Sequence, residues 1–117
     1  MDLTRQDVIK ILAVTEHARL SGVDLSGLDL QGLNFSGADL TNANLQDSNL
    51  TNAYLRGARL ENANMEGSIL AKANLKEANL KGANLKNADL RGAILKDVIL
   101  FEANMQGAKL DRESTTY

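Results

Sequence analysis

The sequence predicts an all-β solenoid, a chain wound into stacked coils, with a short α-helix closing its N-terminal end. Three observations carry this expectation. From Val23 to Arg112 a leucine returns every fifth residue without a slip in register, replaced only by Phe35, Met65 and Met105. Two places before it stands Ala in most repeats, so that the two share one side of a short extended piece. All nine glycines fall two places after it.

The first element is the helix. Thr4 followed by Asp7 is a helix start, with Thr4 as N-cap and an acidic residue in the first turn. Leu3 and Val8 stand where a hydrophobic staple places its two partners. Val8, Ile11, Leu12 and Thr15 fall on one helical face, with Ile9 and Ala13 beside it. The spacing predicts a helix from Thr4 to about Glu16. The first coil of a solenoid leaves its interior and its backbone edge open, and an amphipathic helix there covers both. Residues 1–22 are therefore read as capping helix and linker, residues 23–112 as the coil and residues 113–117 as a polar tail.

The coil follows from the period. Five residues on a helix advance about 140° past a full turn, which scatters the leucines around the whole circumference. On a flat strand an odd period sends successive leucines to opposite faces. All of them point inward only if the chain bends by a similar angle after each short extended piece. Counting Leu as slot three of five, the bend lies at slot five, which holds every Gly and otherwise often Asn or Asp. That selection indicates φ > 0, as type II turns require at their second central residue. Lys72, Glu77, Glu102 and Arg112 break this pattern and predict a different turn at those corners.

Four pentads per coil give the more ordered columns. Residues 20 apart then become neighbours, and Asp24, Asn44, Asn64, Asn84 and Asn104 form an unbroken amide ladder, read as a row of inter-coil hydrogen bonds. Ser48 falls above Ser68, Glu61 above Lys81 and Glu66 above Lys86. Arg56, Lys76 and Lys96 stack like charges, which opposes the arrangement. Three pentads per coil mix Asp24, Asp39, Tyr54, Ile69 and Asn84 in one column, without order.

Composition bounds the function. The 117 residues make one domain, with no Cys, Pro or Trp and 3% aromatics, so the core is built from Leu, Ala, Ile and Val. The absence of Cys fits a reducing cytoplasm. The start, MDLTRQDVIKILAV, makes a poor signal peptide. No apolar run reaches the roughly 18 residues a membrane span needs. A net charge of −2 shows neither a basic nucleic-acid footprint nor a strong anionic field.

The register A(D/N)LxG, with ADLTN, ANLKE, ANLKG and ADLRG occurring verbatim, resembles the pentapeptide-repeat family over residues 23–112. The resemblance implies a right-handed quadrilateral β-helix with the Leu and Ala slots inside, here of about four and a half coils. It also implies a bacterial protein. One branch of the family consists of dimeric DNA mimics that protect gyrase from quinolones. Charge opposes that reading for this chain. Duplex DNA carries one negative charge per about 1.7 Å, so a mimic about 22 Å long needs about a dozen in excess. Residues 71–100 instead carry six basic and three acidic residues.

No catalytic, cofactor or metal constellation is visible. His17 is the only histidine and is expected in the cap helix, outside any nucleophile signature. Asp24, Asp29, Asp39 and Asp89 spread over three columns and do not converge as metal ligands must. The glycines recur singly, unlike a phosphate-binding loop. The departures from the repeat say more. Tyr54, Ile69, Ile94 and Ile99 are apolar in the outward slot two, and Phe101 in slot four. Ile94, Ile99 and Phe101 share the last full coil and form the candidate interaction patch, covered by the tail through Tyr117 or by another chain. The expectation is a cytoplasmic, non-enzymatic scaffold that needs no cofactor. Its partner is an unidentified protein or a second copy in an end-to-end homodimer, not a membrane or a nucleic acid.

Overall fold

The computed structural model describes residues 2–111. The tail at 113–117, the corner at Arg112 and any cover provided by Tyr117 lie outside the described residues.

Every isolated bridge pairs residues 20 apart in parallel, from Arg19 with Asp39 to Asp89 with Lys109. Four pentads therefore complete one coil. The two short principal extents, 23 and 22 Å, are nearly equal, as four equal sides require. Each pentad contributes one bridging residue, its slot two, and then turns. The turn is closed by a hydrogen bond from the slot-one N–H of the next pentad to the slot-three carbonyl, as from Ala63 to Leu60 at 3.0 Å.

Slot five takes φ > 0 throughout: 70° at Gly67 and 61° at Asn52. Lys72, Glu77 and Glu102 share it, at 60°, 63° and 61°, so the separate turn geometry expected there is corrected. At Lys72 and Glu77 the carbonyls on either side of the corner accept from the coils below and above, and at Glu102 the Phe101 carbonyl accepts from Gly82 in the coil below. A long side chain is thereby held in a conformation it disfavours by about 1–2 kcal/mol. At Gly67 a second constraint operates: a Cβ there would collide with the Asp47 carboxylate from the coil below. The contact is not a general requirement of the corner, since Asn62 above Asn42 and Lys72 above Asn52 carry a Cβ at the same kind of corner.

The interior is a dry column. Leu25 to Leu90 at slot three, with Phe35 and Met65, are at most 1% exposed, and Ala38 to Ala88 line slot one beside them. Each fully buried leucine contributes roughly 1.5–3 kcal/mol. Ser48 and Ser68 lie in this column fully buried, and each hydroxyl donates at 2.8 Å to a carbonyl of its own coil, Leu45 and Met65. No inter-coil Ser–Ser bond is needed.

The coil starts one pentad earlier than the register suggested. Ala18 and Leu20 are buried at 2% each, Arg19 bridges Asp39, and Gly22 has φ 72°. The stretch ARLSG already obeys the repeat, with Arg in place of Asn at slot two. Before it, α1 spans Arg5–Ala13. Thr4 and Asp7 form the full capping box, the Asp7 carboxylate accepting from the Thr4 N–H at 2.9 Å. The helix ends three residues short of Glu16, because the chain must reach the first coil at Ala18. Val8 is fully buried, and Leu3, Ile11 and Leu12 pack partly against the first coil. Thr15 is exposed rather than on the buried face.

Candidate functional site

The outward surface is built by slot two. An Asn or Asp there turns its Oδ1 back to accept the N–H two residues on. Asn44 accepts from Gln46 at 3.1 Å, Asn64 from Glu66 at 3.2 Å and Asn84 from Lys86 at 3.1 Å. The amide column therefore stands in register, but its main hydrogen bonds lie within each turn. Between coils, the Asn84 amide donates to Asn64 at 3.4 Å. The expected row of inter-coil bonds is corrected accordingly: the slot-four N–H has no backbone acceptor, and the nearest side-chain oxygen wins.

Charge follows the same local logic. Asp24 accepts the Ser26 hydroxyl at 2.7 Å and its N–H at 3.0 Å, which holds its carboxyl below the usual range. Asp89 is held down to about 2, first by hydrogen bonds from the Arg91 side chain at 2.8 and 3.0 Å. Arg56 leaves the column it shares with Lys76 and Lys96 and pairs diagonally with Glu77 at 3.2 Å. Glu61 pairs with Arg59 at 3.5 Å, and the Lys81 ammonium lies 5.8 Å from the Phe101 ring, so Glu61 above Lys81 is adjacency without an ion pair.

Ile94, Ile99 and Phe101 are exposed by 49%, 48% and 66%. Their bridges place Ile94 on the side of Asn34, Tyr54 and Asn74, and Ile99 on the next side, with Asp39, Arg59 and Asn79. They wrap a corner and do not make one flat patch. Phe101 follows Ile99 at the following corner. Tyr54 shares the Ile94 side with Asn74 between them, and Ile69 stands on another side with Asn49 and Asp89. Beyond them the interior itself opens. Leu100, Met105 and Leu110 are only partly buried, as are Val98, Ala103 and Ala108.

A second feature escaped the sequence reading. Glu16, His17, Asn34, Ser36, Gly37, Arg56, Gly57 and Glu77 line an open groove of about 590 Å³ along one corner. His17 lies against Gly37, where a Cβ would collide with its ring. The register did contain this signal, since His17 stands 20 residues before Gly37 in the same column.

The twenty-residue coil, the Leu and Ala interior and the positive-φ corners decide the relationship. The family profile "Pentapeptide repeats (8 copies)" matches residues 18–57, 48–87, 58–97 and 78–112. The chain belongs to the pentapeptide-repeat family. This pentapeptide-repeat chain is 43% identical to Rfr23 from the cyanobacterium Cyanothece 51142, with a TM-score of 0.76 over 77% of this chain and 61% of that one. It is 31% identical to a pentapeptide repeat protein of the Arabidopsis thaliana thylakoid lumen, with a TM-score of 0.39 over 77% and 63%. The chain thus spans less than two thirds of either relative's length. QnrB1, a plasmid-mediated fluoroquinolone resistance protein, is 20% identical over 80% of this chain and 78% of its own, with a TM-score of 0.41. Nothing of that resistance role transfers at this level of likeness. A comparison with curated proteins found no match.

Proposed function

We infer that this chain is a non-enzymatic, cytoplasmic interaction scaffold: a stiff right-handed quadrilateral β-helix that meets a protein partner through its C-terminal coil. The observation that carries the reading is the coincidence of two features there. Outward apolar residues gather at Ile94, Ile99 and Phe101, where the slot-three interior also changes from at most 3% exposed at Leu95 to partly exposed at Leu100. Apolar surface of this kind, rimmed by polar sides, marks protein contacts.

The DNA-mimic reading is weaker. A mimic requires acidic sides, whereas Lys76 and Lys96 share one edge of this rod with Arg56, and Arg91 neutralises Asp89. The simplest partner is a second copy. Light scattering on a sizing column is expected to give twice 12.6 kDa for the wild type and 12.6 kDa for Ile99→Lys, Phe101→Lys. A monomer in both removes the self-pairing and leaves a different protein as partner.

A further inference from the structure

The two edges of the stack differ in hydrogen-bond polarity, and this bears on the opposite end of the rod. Throughout the coil, the slot-three and slot-five N–H groups point toward the following coil. They donate to its slot-two and slot-four carbonyls, as Leu30 does to Asn49 at 2.7 Å and Gly32 to Thr51 at 2.9 Å. The slot-two N–H runs the other way, to the slot-one carbonyl of the preceding coil, as Asn49 does to Leu28 at 2.9 Å. Each first-coil pentad therefore faces outward with two carbonyls and one N–H, and each last-coil pentad with two N–H groups and one carbonyl.

Side chains take over backbone hydrogen bonds near both edges. The Arg5 guanidinium donates to the Asp29 carbonyl at 2.9 Å and to the Gln31 carbonyl at 3.1 Å. Those are the slot-two and slot-four acceptors of one pentad, the pair that a preceding coil would have engaged. At the other edge the Asp111 carboxylate accepts the Gly92 N–H at 3.0 and 2.9 Å, in place of the main-chain carbonyl that takes this bond lower in the stack. A cation closes the acceptor edge and an anion closes the donor edge. Among the described residues no backbone group accepts from the N–H groups of Leu100, Glu102, Met105 or Gly107.

We propose that α1 is a removable stopper, and that the acceptor edge beneath it is a docking surface for the donor edge of a second copy. Head-to-tail stacking restores the same backbone pairing that joins consecutive coils, and it buries the half-open interior at Leu100, Met105 and Leu110. Pairing of two C-terminal ends cannot do the same, because donors outnumber acceptors on both, slot three and slot five each offering an N–H against the one slot-one carbonyl. The stopper is lightly fixed. Val8 is the one fully buried residue of α1, and Arg5 retains 37% exposure of its side chain.

The test uses the full chain with Arg5→Glu and Val8→Asp together, followed by sedimentation velocity over a concentration series. Species of three or more copies are expected at concentrations at least tenfold below any at which the wild type forms them. Pairing through the C-terminal coils alone cannot give such species. Adding Leu100→Lys, which charges the donor end, is expected to abolish them. Arg5→Gln alone, with Val8 seated, is expected to move association in the same direction by less. A double variant that keeps its β-type spectrum and the wild-type mass overturns the proposal. So does assembly that survives Leu100→Lys, or unfolding of Arg5→Gln, since coils that carry their own core must stand without that side chain.

Discussion

The two ends of the rod share one repeat but are finished differently. At the N-terminal end Leu20 and Leu25 are buried beneath α1, and Arg5 occupies two edge carbonyls. At the C-terminal end Leu100, Met105 and Leu110, in the same slot of three successive pentads, are only partly covered. A leucine in this fold is therefore not buried by its own coil. It is buried by the coils on either side, which is why a solenoid needs a lid wherever the stack stops.

The largest effect that sharpens this contrast comes from charging the axis. Leu75→Lys places an ammonium where exposure is 0%, and its desolvation penalty of several kcal/mol is a large share of the roughly 5–15 kcal/mol that holds a domain. Loss of the cooperative melt is expected. Leu110→Lys, at the open end, should lower the midpoint by a few degrees. Lys76→Leu, one residue from Leu75 but facing outward, should leave it unchanged. Equal damage at positions 75 and 110 would break the comparison.

Removing a turn acceptor acts on a smaller scale. Asn84→Ala deprives the Lys86 N–H and the Asn64 side chain of their partner and is expected to cost about 1 kcal/mol. Asn104→Ala loses only the Gln106 bond on the frayed last coil and should cost less in a chemical melt.

The smallest effect is acid sensitivity. The carboxyl of Asp89 lies near 2 in the folded chain, below its usual value of 3.8, so it adds stability above about pH 4 that is lost as pH falls toward 2. Asp89→Asn should flatten that part of the midpoint-against-pH curve by lowering the midpoint at neutral pH, where the contribution is fully present, while leaving it little changed near pH 2. An unaltered acid limb would place the sensitivity elsewhere, for instance at Asp24, which its bonds with Ser26 also hold low.

Most of the fold was legible because one constraint repeats. Leu at slot three and Gly or Asn at slot five report the dry axis and the left-handed corner every time, so errors at single positions could not disturb the register. The positions misread are those where the rest of the molecule overrides a residue's preference. Lys72, Glu77 and Glu102 follow the stack, not their own torsional bias. The pentad at Ala18 was hidden by Arg19 in place of Asn. The amide column was visible, but the direction of its bonds was not, since that depends on the local N–H of slot four. Of the candidate site, exposure of Ile94, Ile99 and Phe101 could be read from their slots, and their separation around a corner needed the coil length. Arg5 and Asp111 left no periodic mark, because each acts once, at an edge.

Amide hydrogen exchange, resolved by residue across the middle coils, tests the central claim most directly. Leu70, Lys72, Ala73 and Asn74 all donate to backbone carbonyls. Ala71 follows Ile69, which has no turn-closing oxygen, and its N–H has no acceptor among the described residues. The account predicts fast exchange at Ala71 between slow neighbours, with the same five-residue minimum at Arg56 and Glu61. Uniform protection through residues 70–74, or minima recurring with a helical period, would contradict it.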